Sequence, residues 1–268
     1  MDNMNLFSKT HIEKGLLNKE FFNFNILVST DSTNNEAKKL AEKGLPEGTV
    51  VLADTQTAGK GRMNRKFSSP PGTGIYMSII LRPKFSAMEA LTITTAAAVA
   101  VSKAIEKLTA KETGIKWVND IYMADRKVCG ILTESKIASD GNSLKYAILG
   151  IGINVFAPEN GFPDEIKNIA GAVLERDYNN KNIREKLIAE TLNEFERIYF
   201  TLPNRNYLEH YRSRSVLTGK AVEILKCGEV CGEGTVEGID DDLNLMIRHD
   251  DGTSEKLSSG EVSVKKKV

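Results

Sequence analysis

Residues 87–108 are rich in alanine and free of glycine, and the helix they predict has apolar positions on most of its faces. A helix of that kind must be covered on nearly all sides. Just before it, Ile75-Tyr-Met-Ser-Ile-Ile-Leu81 is a strongly apolar run of strand length, the texture of a central strand. Together they point to a sheet with helices packed on it. At 268 residues the chain can form one large domain and a small one.

The remaining elements fill in that plan. Residues 25–29 and 49–53 read as strands. Between them Thr33-x-x-Glu36 has the form of a capping box, opening a helix to about Lys43 that Gly44 and Pro46 end. Residues 1–23 are polar, with a weak helical pattern around Leu16, Leu17 and Phe21. Residues 116–123, 127–136 and 144–155 read as further strands, with turns at Asp125-Arg126 and Ser139-Asp-Gly-Asn142. Asn182-x-x-Glu185 caps a helix whose face carries Ile183, Leu187, Ile188, Leu192, Phe195, Ile198 and Tyr199. After residue 214 the texture changes. Residues 220–225, 232–239, 244–249 and 254–257 are short strands between Gly and Asp turns, as in a small β-barrel. The expected fold is α+β, a mixed sheet domain over residues 1–214 and a barrel over 215–268.

Acidic and basic residues balance at 36 each, which gives no support to broad nucleic-acid binding. Lys265-Lys-Lys267 reads as a solvated terminus. The three cysteines, Cys129, Cys227 and Cys231, are too few and too scattered for a disulfide scaffold and fit a reducing compartment. Cys227 and Cys231 have metal-like spacing but no second Cys/His pair near them. His11, His210 and His249 match no motif and read as surface or barrel residues. There is no signal-peptide pattern, and no apolar run is read as membrane-spanning. A cytoplasmic protein is expected.

Chemistry concentrates in four blocks. Asp54-Thr-Gln-Thr-Ala-Gly-Lys-Gly-Arg-Met-Asn-Arg-Lys-Phe67 places Gly59 and Gly61 among Lys60, Arg62, Arg65 and Lys66, at the end of a short buried strand. Glycines let a backbone approach a ligand, and N–H groups and guanidinium forks hold phosphate or carboxylate. On its residues alone this loop is either an exposed turn or an anion site. The other blocks are Asp31-Ser-Thr-Asn34, Lys116-Trp-Val-Asn-Asp120 continuing to Glu134, and Leu149-Gly-Ile-Gly-Ile-Asn-Val155. Gly150 and Gly152 form only a Gly-x-Gly, and on an apolar strand they suggest close approach by a ligand or another backbone.

In order and spacing the four blocks resemble the biotin protein ligase family, over roughly residues 25 to 265. That family's basic loop usually reads Gly-Arg-Gly-Arg followed by an Arg and a Trp, and its second block Lys-Trp-Pro-Asn-Asp. Here Lys60, Phe67 and Val118 stand in for an Arg, the Trp and the Pro. The resemblance implies a biotin/lipoate ligase-like catalytic domain with an SH3-like C-terminal barrel. It also implies a two-step reaction with biotin and ATP as substrates and Mg²⁺ as the accompanying ion. Biotin's carboxylate attacks the α-phosphate of ATP. A lysine on a biotin carboxyl carrier domain of acetyl-CoA carboxylase, or of another biotin-dependent carboxylase, then takes the biotinyl group.

By the same resemblance, Ser32, Thr33, Asn34 and Gln56 contact the ureido ring of biotin, and Gly59, Lys60, Gly61, Gly130, Gly150 and Gly152 also belong to the biotin site. Arg62 grips the carboxyl–phosphate junction and Arg65 the phosphates, with Ser68 nearby on the nucleotide side. Lys127 meets the transferring carboxylate and α-phosphate, and Lys116 reaches the phosphates with Mg²⁺. Asn154 and Phe67 serve adenine, Phe67 as a platform or else as a core anchor for the loop. Asn119 and Asp120 could as easily be structural. Their functional reading puts Asn119 near the nucleotide and Asp120 in support of catalysis through Mg²⁺ or a lysine. No dedicated protein metal site is expected, and a homodimer is open.

A lipoate–protein ligase is the nearest alternative, with an apolar acyl site and no ureido cluster. A biotin-sensing DNA-binding protein is the alternative of another class. The residues before Ser32 are too few for a three-helix repressor domain, so a ligase without DNA or membrane partners is expected.

Overall fold

The apolar run at 75–81 sits where such a strand must, in the middle of a sheet. In the computed structural model, which describes residues 7–176, 178, 182–226, 229–259 and 262–266, the chain begins with α1 (Lys9–Gly15) and β1 (Asn23–Thr30). Then come α2 (Thr33–Glu42), β2 (Thr49–Gln56), β3 (Gly74–Leu81), α3 (Leu91–Thr109), β4 (Gly114–Lys116), β5 (Asp120–Met123), β6 (Arg126–Ile137) and β7 (Leu144–Asn154). Two helices follow, α4 (Ile183–Tyr199) and α5 (Leu208–Ser213). The chain continues through β8 (Ala221–Lys226), β9 (Glu229–Ile239), β10 (Leu245–Arg248), β11 (Ser254–Leu257) and β12 (Val262–Lys266). One sheet has seven strands in the order β1-β2-β3-β7-β6-β5-β4. Only β1 and β2 run parallel in it. The second sheet has five antiparallel strands in the order β11-β10-β9-β8-β12 and forms the small C-terminal unit.

The period of two divides the large sheet into unequal faces. Ile75, Met77 and Ile79 of β3 join Leu149, Ile151 and Ile153 of β7 in the main core, with α3 and α4 above them. The Ala and Val residues of α3 from Ala96 to Val101 are fully buried, as its composition requires. The opposite face is covered at one end by α2, whose Ala37 and Ala41 pack on Val51, Ile80, Tyr146 and Ile148. From the start of α2 onward that face carries Ser78, Gly150, Gly152 and Gly130, which β3–β7–β6 register sets side by side. This strip of small residues makes a floor.

Several local readings are corrected. The run at 116–123 is two strands, because Trp117, Val118 and Asn119 turn inward. Trp117 Nε1 donates to Leu243 O at 2.9 Å, and Tyr211 Oη donates to Val118 O at 3.0 Å. The Trp117–Val118 peptide is cis. The hairpin turn after β5 is Ala124-Asp125, both at positive φ, one residue earlier than expected. Neither capping box forms. Ser32 and Asn182 are the N-caps and make no side-chain cap bond; Thr33 lies inside α2 with its hydroxyl used elsewhere, and Glu185 accepts from Ser8 N. The turn around Asp140 is as expected, its carboxylate taking Asn142 N and Ser143 N at 2.9 Å each.

α1 stops at Gly15, so Leu17 is exposed, while Ile12 of α1 is fully buried. Residues 265 and 266 belong to β12, paired with β8, rather than to a free terminus; Lys267 lies outside the described residues. Ala87–Thr109 does have the length and composition to cross a membrane, but 72% of its apolar window is buried inside the protein. Cys227 also lies outside the described residues; Cys231 is exposed, and burial pushes the Cys129 thiol well up. His11 is exposed, while His210 and His249 are partly covered, on α5 and next to β10.

Candidate active site

A chain of polar side chains crosses the sheet where α2 begins. Asn34, buried in α2, donates from Nδ2 to Glu134 Oε2 at 2.7 Å. Ser78 Oγ lies 2.6 Å from Asn34 Oδ1 and 2.8 Å from Thr33 Oγ1. Thr33 donates to Gln56 Oε1 from its backbone N at 2.8 Å and its hydroxyl at 3.2 Å. Gln56 Nε2 reaches Ser69 Oγ at 2.8 Å, and that hydroxyl donates to Phe67 O at 3.0 Å. Ser32 is buried at the start of the same helix. Gln56 thus supplies an acceptor to a helix N-terminus that has no capping side chain of its own. Unpaired polar groups at this depth would each cost about 1–3 kcal/mol, so the chain of bonds fixes every member.

The basic loop is a small hairpin at the edge of this pocket. Phe67 N donates to Gly59 O at 2.9 Å and Gly61 N to Arg65 O at 2.7 Å, with Lys60 and Lys66 bridged across. Met63 and Asn64 at its tip take positive φ. Lys60 Nζ stands 3.6 Å from Glu134 Oε1. Arg65 is exposed and Ser68 half-buried on the way back to β3. Arg62 turns inward, where Nη1 donates to Asn119 Oδ1 at 3.1 Å. Burial draws the Arg62 guanidinium below its ordinary range, and the Asp120 charge pulls the other way. Asn119 is held in turn by Nδ2 donating to Ile131 O at 2.8 Å. A groove of about 240 Å³ runs beside Arg62, lined by Met63, Leu91, Val118, Leu132 and, from the C-terminal unit, Ser259.

Lys127 and Asp120 meet on the third side. β5–β6 pairing places Asp120 opposite Gly130, and Lys127 Nζ lies 2.7 Å from Asp120 Oδ1. The backbone of Lys127 is clamped by Ile169 O, which takes its N–H at 2.7 Å, and by Gly171 N, which donates to its carbonyl at 2.8 Å. Gly171 O also accepts from Asn154 Nδ2 at 3.1 Å. Lys116 lies one strand further out, opposite Asp120 in register, its ammonium 6.0 Å from the Tyr122 ring.

The expected close approach at the glycines is made by side chains. A Cβ at Gly150 would collide with Asn34 Oδ1; one at Gly152 would stand 2.6 Å from Phe67 Cε1. At Gly130 it would stand 3.2 Å from Lys127 Cε and 3.3 Å from Phe67 Cε2. The Phe67 ring is half-buried here, edge-on to Tyr76 at 6.3 Å between centroids.

Thus the structure gathers Ser32, Thr33, Asn34, Gln56, the basic loop, Asn119, Asp120, Lys127, Asn154 and the three glycines around one end of the sheet, with Lys116 at its margin. Sequence reading missed Ser78, Ser69 and the role of Glu134. An isolated serine in an apolar strand, Ser78, was the available signal. It also missed Arg184, buried on α4, which pairs with Asp54 at 2.9 Å and donates to Gly74 O at 3.1 Å. Asp54 also accepts from Gly72 N. The first residue of the basic block therefore anchors the loop's return to β3.

Comparison with known proteins bears on this arrangement. The model of the Biotin/lipoate A/B protein ligase family matches residues 26–154, and that of the biotin protein ligase C terminal domain matches residues 217–265. The bifunctional ligase/repressor BirA of Bacillus subtilis is 37% identical over 240 residues, 87% of this chain and 71% of that protein. The chain belongs to the biotin protein ligase family. Another biotin protein ligase relative, the biotin–acetyl-CoA-carboxylase ligase of Paracoccus denitrificans, is 31% identical over 83% of this chain and 93% of its own length. The biotin protein ligase of Aquifex aeolicus, solved in complex with biotin and ATP, superposes with a TM-score of 0.69 at 27% identity. That likeness covers 92% of this chain and all of that one. The α+β catalytic sheet followed by a small antiparallel unit is thus the biotin protein ligase architecture.

Proposed function

We propose that this protein activates biotin with ATP and transfers it to a lysine of a biotin carboxyl carrier domain. The observation that carries the reading is one juxtaposition. A hydrogen-bonded pocket of buried Thr33 and Asn34 and half-buried Gln56 lies beside a cationic rim of Arg62 and Lys127, over a glycine floor. A ligand with a urea-like head and an anionic tail matches both halves. Thr33, Asn34, Gln56 and Ser32 serve the ureido ring, which offers one strong acceptor and two donors. Gly59, Lys60 and Gly61 close over it.

In the first step a carboxylate oxygen of biotin forms a bond to the α-phosphorus, and the bond to pyrophosphate breaks. In the second, a lysine amine of the acceptor attacks the acyl carbon of biotinyl-5′-AMP, AMP leaves, and the amine gives up a proton. Neither step needs an enzyme nucleophile. Both need two anions held together and charge neutralised at phosphorus. Arg62, half withdrawn from water, faces that charge in a medium where each interaction is stronger. Lys127 exchanges its Asp120 partner for phosphate oxygens, and Arg65 and Lys116 meet the outer phosphates. Phe67, anchored on Gly152, offers adenine an aromatic surface, with Asn119, Asn154 and Ser68 on that side. Mg²⁺ enters with ATP, where it neutralises phosphate charge. Among the described residues no three His, Cys, Asp or Glu side chains gather to hold a metal, and Asp120 is the carboxylate beside Lys127.

Catalysis belongs to residues 1–214, and the barrel of 215–268 supports it, consistent with Ser259 sharing a groove with Arg62. A cytoplasmic location fits the ATP requirement. α1 is tied to α4 by Ser8 N donating to Glu185 and by Asn193 Nδ2 donating to Gly15 O. The test is transfer of labelled biotin, against labelled lipoate, to a carrier domain with ATP. Biotin incorporation that vanishes when the acceptor lysine is changed to arginine supports the reading. Preferential use of lipoate overturns it.

A further inference from the structure

We infer that Glu134 is a positioning residue that fixes which end of the Asn34 amide the ligand meets. The inference rests on the proposal that Asn34 contacts the ureido ring. An amide has a donor end and an acceptor end of nearly the same shape, and only its partners decide which points where. Ser78 does not decide. A hydroxyl can donate or accept, and Ser78 Oγ also lies 2.8 Å from Thr33 Oγ1. The decision falls to groups that can only accept. One is Leu132 O, at 3.5 Å from Asn34 Nδ2, the outer limit of a hydrogen bond. The other is the Glu134 carboxylate, at 2.7 Å.

A flipped Asn34 would set its carbonyl against that carboxylate, two acceptors without a proton between them. Glu134 therefore holds Nδ2 on its own side and sets Oδ1 over Gly150, where a Cβ would stand 2.1 Å from it. Its second oxygen is 3.6 Å from Lys60 Nζ, which links the pocket to the basic loop. Both of those side chains are more than a third exposed, so solvent screens the pair and it adds little by itself. The amide is the main object.

The test measures biotin affinity without ATP, by calorimetry, for wild type, Glu134→Ala and Glu134→Gln, each also in an Asn34→Ala background. Loss of a charge-assisted bond that fixes the amide weakens biotin by roughly tenfold or more in Glu134→Ala. Glu134→Gln, whose own amide can donate or accept, falls between that and wild type. With Asn34 already alanine, Glu134→Ala adds less than about twofold, because the two act as one unit. Unchanged affinity in Glu134→Ala, or the same loss in both backgrounds, overturns the inference. Should Glu134→Ala not fold, the same comparison is made with Glu134→Gln. A wild-type protein that does not bind biotin would instead refute the functional reading itself.

Discussion

The Phe67 ring packs directly on Gly152, with a Cβ built at that glycine standing 2.6 Å from Cε1 and 2.7 Å from Cζ. The glycine makes room for the ring. Gly152→Ala is therefore expected to push Phe67 off the floor and to mimic Phe67→Ala. Both should weaken nucleotide binding by about 1–3 kcal/mol, the scale of one base–aromatic stack. Phe67→Trp should preserve or tighten it. Titrations with biotin, ATP and a non-hydrolysable biotinyl-adenylate analogue separate the effects. Equal losses for biotin and ATP, together with a large fall in thermal midpoint, would make Phe67 a structural anchor instead.

Gly150→Ala acts at the other half of the site. The new methyl collides with Asn34 Oδ1 and displaces the amide from Ser78 and Glu134. Biotin affinity should fall well below wild type while ATP affinity stays close to it. A variant that keeps its biotin affinity would show that Asn34 does not meet the ligand.

Lys127→Ala should lose far more adenylation rate than stability. Its ammonium is partly exposed and paired with a partly exposed Asp120, so the expected fall in stability is small beside the fall in rate. A cation that strengthens its contact at the transferring phosphorus lowers the barrier by about 3 kcal/mol, roughly a hundredfold in rate. Turnover and thermal midpoint are measured together. A near-wild-type rate would remove Lys127 from the chemistry.

Asp54→Ala should do the opposite, although Asp54 opens the basic block. It removes the carboxylate that meets the guanidinium of Arg184, whose side chain is 9% exposed. Breaking such a buried pair costs about 3–5 kcal/mol. Chemical denaturation should show that loss, while the folded fraction keeps its affinity for biotin. Full stability would contradict the structural role.

The four blocks were legible because each is continuous in sequence and carries residue types that anion chemistry requires. The central strand and the buried helix were legible from composition, since an all-apolar run has few places to go. What escaped depends on pairs far apart in the chain. Ser78 and Glu134 meet Asn34 across separations of 44 and 100 residues, and Arg184 meets Asp54 across 130. No local pattern announces such contacts. The capping boxes failed for a related reason, as Gln56 supplies from another strand the acceptor that the start of α2 needs. The 116–123 run read as one strand because its buried turn is as apolar as a strand, with Trp117 held by Leu243 of the C-terminal unit.

The central claim is that biotin is activated on this site before any acceptor is involved. Biotin-dependent exchange of labelled pyrophosphate into ATP measures that half-reaction alone. Exchange should need both biotin and Mg²⁺, proceed without a carrier protein, and drop roughly a hundredfold in Lys127→Ala. Exchange that is absent with biotin, or that runs equally well without it, would contradict the account.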